Sequence, residues 1–143
     1  MKAIQHLGCS VDTITKREHT KNVYKAGRCI VQNQIDYFRR YGPDTTERRV
    51  ENPDDQYVKS AKTGVRLNRF SPDTHIDHEP PFSVLFARWM KKMNLDIQDI
   101  GTTEYSQGLL TFIDLEKRQS WHDYHKENAR LFFLTKHENL TKR

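Results

Sequence analysis

Thr74-His75-Ile76-Asp77-His78-Glu79-Pro80-Pro81-Phe82 is the stretch on which the reading of this 143-residue chain turns. Asp77 offers a hard carboxylate oxygen of the kind that holds Mg²⁺. His78, its neighbour, offers an imidazole that accepts a proton near neutral pH. The prolines end the extended run and prepare a helix entry at Phe82.

Upstream, Lys62-Thr63-Gly64-Val65-Arg66-Leu67 and Thr74-His75-Ile76-Asp77 flank a Ser71-Pro72-Asp73 turn. That pattern predicts a hairpin whose second strand delivers Asp77 and His78. Downstream, Phe82, Leu85, Phe86, Trp89, Met90 and Met93 recur at helical spacing, with Lys91 and Lys92 on the outer side, and the aromatics are read as core. Leu109 to Ile113 reads as a strand, Asp114 as an N-cap, and Leu115 to about Glu127 as a helix with Trp121 and Tyr124 inward. A strand over Ala129 to Thr135 and a short helix from His137 onward complete the chain.

Toward the N-terminus, Val23, Ala26, Ile30, Val31, Ile35 and Phe38 step by threes and fours, predicting a helix from Thr20 that Gly42 and Pro43 stop. Arg39 and Arg40 at its end are candidates for phosphate contact. Residues 1–19 lack a firm period and read as a flexible arm. Residues 43–58, polar and with two prolines, read as a surface loop.

Composition bounds the function classes. Hydrophobic residues at 35% and charged residues at 30% fit one α+β domain over residues 20–143, with a modest core. The mean hydropathy is −0.90, and no run approaches the roughly 20 apolar residues of a membrane helix. The opening residues lack the apolar core of a signal peptide, so the expected location is cytoplasmic. Cys9 and Cys29 form no CxxC pair and argue for neither a zinc finger nor a disulfide framework. A net charge of +5 favours an anionic partner such as nucleic acid.

Three segments carry a resemblance: His75-Ile76-Asp77-His78-Glu79-Pro80-Pro81-Phe82, Tyr124-His125-Lys126-Glu127-Asn128-Ala129-Arg130-Leu131, and Leu134-Thr135-Lys136-His137-Glu138-Asn139-Leu140-Thr141-Lys142. Together they resemble the HNH, or His-Me finger, endonucleases, in particular bacterial and phage members without the cysteine pairs. The resemblance covers residues 62–143. It implies a ββα-metal module with added helices, a Mg²⁺-dependent endonuclease activity on DNA, and tolerance of other divalent cations.

By that match His78 is the general base, Asp77 and Asn139 are metal ligands, and Asn128 braces the loop and orients the base. His137 is the alternative to Asn139 under a shifted register. Arg130, Lys136 and Lys142, with Arg143, are the basic residues expected along the phosphate backbone. His75 and His125 flank the motifs, and His122 reads as a solvated helix residue. The rival expectations are a non-catalytic nucleic-acid-binding or assembly subunit on the same fold and, from charge alone, an RNA-binding accessory protein.

Overall fold

The computed structural model describes residues 9–43 and 56–141, with side chains from residue 15 onward. In chain order the elements are α1 (Cys9–Tyr41), β1 (Tyr57–Lys59), β2 (Arg66–Asn68), β3 (Thr74–Glu79), α2 (Phe82–Lys92), a 3-10 turn (Ile97–Asp99), β4 (Thr102–Ser106), β5 (Leu109–Phe112), α3 (Leu115–Asn128), β6 (Arg130–Thr135) and α4 (Lys136–Leu140). This is an α+β chain with three two-stranded antiparallel sheets among the described residues: β1–β2, β3–β6 and β4–β5.

The chain divides into two compact units, one of Met1–Val31 with Phe86–Tyr124 and the other of Gln32–Leu85 with His125–Arg143. The first is organised by aromatic packing. Phe86, Trp89, Phe112 and Trp121 are fully buried, as are Val23 and Ala26 of α1. Phe86 meets Trp121 edge-on with centroids 4.9 Å apart, and Trp89 stacks on Phe112 at 5.9 Å. Both indole N–H groups find acceptors, Trp121 at Gly27 O (2.8 Å) and Trp89 at Ser120 Oγ (3.0 Å). The aromatics of α2 are therefore core, as their spacing predicts, although Met93 is exposed.

The second unit is built on the β3–β6 ladder, which pairs Thr74 with Thr135 through to Glu79 with Arg130 without a register break. Phe133 is buried in it and stacks on Phe38 near the end of α1, with centroids 4.8 Å apart. Gly42 ends that helix because the chain passes so close to Phe38 that a Cβ at this position would lie 2.5 Å from its ring.

Arg69 closes the same helix end. Only 1% exposed, its Nη1 donates to the carbonyls of Arg39 (3.1 Å), Arg40 (3.0 Å) and Gly42 (2.8 Å). A cation at a helix C-terminus both satisfies orphan carbonyls and opposes the dipole.

Four differences from the sequence reading stand out. The first helix begins at Cys9 rather than near Thr20, and residues 1–8 of the expected arm lie outside the described residues, as does most of the expected 43–58 loop. The Ser71-Pro72-Asp73 turn forms, with Thr74 N donating to Ser71 O, but it does not join paired strands. Instead β2 pairs back onto β1 through the turn at Gly64, whose φ of +75° suits glycine, and β3 pairs with the distant β6. The reason is burial: β2 has three residues, none of them buried, whereas β6 brings Leu131-Phe132-Phe133-Leu134. The hairpin strand β4 was not predicted. Finally, half-buried Arg39 turns inward and donates to Arg69 O (2.7 Å) and Thr74 O (3.1 Å), so it serves the fold.

Replacing Arg69 with Met keeps the stem but strands three carbonyls. Urea unfolding should show a loss of about 2–3 kcal/mol; a loss below about 0.5 kcal/mol, the size of an ordinary surface change, would mean that the cap is dispensable.

Candidate functional site

On a regular strand, successive side chains leave on opposite faces. Within β3 this sets Thr74, Ile76 and His78 on one side and His75, Asp77 and Glu79 on the other, with Leu131 opposite His78 and Phe132 opposite Asp77. The Asp-His pair is thus divided between the two faces of the β3–β6 sheet.

On the first face, His78 Nε2 lies 2.9 Å from His125 Nε2, and His125 Nδ1 lies 2.6 Å from Gln34 Oε1. His125 comes from α3 and is 1% exposed; His78 is half-buried, with the Phe82 ring edge-on at 5.7 Å. Gln34 comes from the last third of α1. Three separate segments therefore meet in a hydrogen-bonded row that includes the His78 ring.

On the second face, Asp77 and Glu79 line an open groove of about 580 Å³ together with Lys62, Arg130, Phe132 and Leu134. Asn139 reaches this side of β3 from α4, its Nδ2 lying 2.9 Å from His75 Nδ1. Its Oδ1 is buried without a hydrogen-bond partner. Such an orphan acceptor in a native protein calls for a reason.

A helix as short as α4 does not persist on its own. Its hold is Glu138, which accepts from Thr63 Oγ1 (2.6 Å), Ser60 Oγ (2.7 Å) and Thr135 N (2.8 Å), while Glu138 N donates to Thr135 Oγ1 (3.0 Å). The last two bonds form a capping box. The first two tie the helix to the β1–β2 turn.

Comparison with protein-family models, with characterised proteins and with solved structures finds no match.

The remaining expected residues are placed as follows. Asn128 is exposed at the end of α3, one helical turn beyond His125. Arg130 is exposed at the groove that Asp77 lines. Lys136 and His137 are exposed beside β2 at a second groove, and Lys142 lies outside the described residues. Among the described residues no group of three or more His, Cys, Asp or Glu side chains is arranged to hold a metal ion. A donor set that includes Asn139 would draw on an amide oxygen besides such groups.

Sequence reasoning set His125 aside as a flanking residue, yet its Nε2 lies within hydrogen-bonding distance of His78. A signal was present: His125 follows the inward Trp121 by four residues, which sets it on the buried stripe of α3.

The bonds from Thr63, then Ser60, then the Thr135 backbone hold the Glu138 carboxyl down at about 2, against an ordinary 4.5. A depressed carboxyl contributes stability that is whole above its unfolded value and lost as the pH falls through its folded one. Glu138→Gln should therefore melt below wild type at neutral pH, with the gap narrowing below pH 4.5 and closing near pH 2. Melting curves across this range check it, and a gap independent of pH would contradict the ionic latch.

Proposed function

We propose that the unit built on β3, β6 and α4 is a ββα-metal module of the HNH kind, and that the protein hydrolyses DNA phosphodiester bonds with a divalent cation. The observation that carries this reading is the antiparallel β3–β6 pair running directly into α4, which brings Asn139 back to the strand of Asp77 and His78.

The donor chemistry fits Mg²⁺. Asp77 offers a carboxylate oxygen and Asn139 a buried, unpartnered amide oxygen, and Mg²⁺ takes few protein ligands, filling its shell with water and phosphate. When bound, the ion neutralises charge on the phosphate and stabilises the leaving oxygen. His78 takes the proton from the attacking water, whose oxygen bonds to phosphorus as the P–O bond to the leaving sugar breaks. Arg130 and Lys62 at the groove supply positive charge for the phosphate backbone. His78 and Glu79 are the last residues of the strand, so a phosphodiester laid across that end can be approached from both faces of the sheet.

The second reading, a non-catalytic nucleic-acid-binding subunit, draws support from the division of Asp77 and His78 between faces. Incubation with supercoiled plasmid separates the two. The hydrolase reading expects nicked and linear product that needs Mg²⁺ and stops with EDTA. His78→Ala should lower the rate at least about 100-fold while far-UV circular dichroism and DNA retardation stay unchanged. Retardation of the plasmid by wild type without any cutting selects the binding subunit instead. For Asp77→Ala, calorimetry should report weaker Mg²⁺ binding, and unchanged affinity removes Asp77 from the ligand set.

A further inference from the structure

The first unit holds a cleft of its own, remote in role from the β3–β6 sheet. We infer that this cleft binds a small organic monocarboxylate, whose anionic head sits on Arg118 and whose apolar body lies along Ile30 and Tyr105. The inference is independent of the hydrolase reading, since every residue in it belongs to the first unit.

The cleft has a volume of about 500 Å³, within the range of small-molecule sites. Three elements wall it: α1 with Cys29 and Ile30, the β4–β5 hairpin with Thr103 and Thr111, and α3 with Arg118. Thr103 and Thr111 are paired across the hairpin, so their side chains leave on the same face.

Arg118 is the residue that asks for a ligand. Its Nη2 donates to Phe112 O at 2.8 Å, which ties the guanidinium to the end of β5. Its Nε is buried and has no hydrogen-bond partner among the described residues. A guanidinium also keeps its charge at any working pH. No carboxylate lines the cleft, and no ion pair to Arg118 forms among the described residues. The carboxylates at the start and middle of α3 are engaged elsewhere: Asp114 accepts from the Glu116 and Lys117 backbone N–H groups and lies 3.4 Å from Lys117 Nζ, while Asp123 accepts from Gln119 Nε2 at 2.8 Å. His122 also lines the cleft, but Asp123 lies 3.7 Å from its Nδ1, so any charge it carries is already matched. A buried donor left unmade is costly, and a half-buried charge adds to that cost. Water meets the donor but not the charge. An anion meets both.

The lining also sets the class of anion. With one guanidinium and no lysine in the cleft, the charge matches a monoanion, and a carboxylate accepts from the planar N–H groups of arginine with good geometry. A phosphate dianion would leave a charge unmet. The hydroxyls of Thr103 and Thr111 are further donors for the carboxylate oxygens. Ile30 and the Tyr105 ring, the latter residue 58% exposed, offer apolar surface that an aliphatic or aromatic body would cover.

The test is a titration of the full ¹⁵N-labelled chain, read at the Arg118 Nε–H resonance and at the backbone amides of Thr103 and Thr111. Benzoate should move all three with a Kd of about 1 mM or tighter. Benzamide, its neutral counterpart, should bind at least about 10-fold more weakly. Arg118→Lys, which keeps the charge but loses the planar fork, should weaken benzoate by about 10-fold or more. Thr103→Trp, a strand-forming residue at an exposed position, should fill the cleft and abolish binding without touching Arg118. An Arg118 Nε–H signal that stays in place at about 10 mM benzoate overturns the inference in the wild type alone. Equal binding of benzamide removes the anionic head, equal binding of inorganic phosphate removes the carboxylate class, and benzoate binding unaltered in Thr103→Trp removes the cleft; any of these overturns the assignment. Plasmid cutting, present or absent, bears on the hydrolase reading and not on this one.

Discussion

The second unit depends on one constraint, the closing of Thr74–Glu79 against Arg130–Thr135 across about 50 intervening residues. Loop closure over such a distance costs only a little more entropy than over a short turn, because the cost rises with the logarithm of length. What offsets it is apolar burial. Phe133 and Leu134 are nearly fully buried, and each such side chain contributes about 1.5–3 kcal/mol. Nothing comparable is available to the local alternative, since Lys62–Leu67 would offer β3 only Val65 and Leu67 as large apolar partners.

Once that ladder forms, the remaining geometry follows from buried polar groups. Arg69 donates to backbone carbonyls at the end of α1 while Arg39 donates to the carbonyls of Arg69 and Thr74, and together they fix the position of the chain just before β3. Glu138 fastens α4 to the β1–β2 turn, and Asn139, its neighbour, is thereby held at His75. Hydrogen bonds to a charged group are stronger than neutral ones, and in a small unit they supply the rigidity that a larger core would otherwise give. Positioning of the side chains around β3 to within hydrogen-bonding distance is a consequence of these anchors, not of helix or strand propensity.

Much of this was legible in the residues. The helical stripes of α1, α2 and α3, the Asp114 cap, the β5 and β6 strands and the stop at Gly42 all follow from spacing and turn chemistry. Strand partners do not, because a period of two marks a strand but carries no information about what lies beside it. That is why the hairpin expected around Ser71-Pro72-Asp73 gave way to two other pairings. The same limit hid the site: Asp77 and His78 are adjacent in sequence and separated in space by the pleat, whereas His125 and Gln34, remote in sequence, complete the row at His78. Arg39 was misjudged because a basic residue at a helix end looks the same whether water or a buried carbonyl receives its protons.

The pairing of β3 is the claim on which the fold of this unit and the reading of its chemistry both stand. Nuclear Overhauser contacts along the backbone of Thr74–Glu79 test it most directly. Cross-strand contacts linking Ile76 with Phe133 and His78 with Leu131 are the predicted result. Contacts from the same residues to Lys62–Leu67, the sequence-local hairpin, would contradict it.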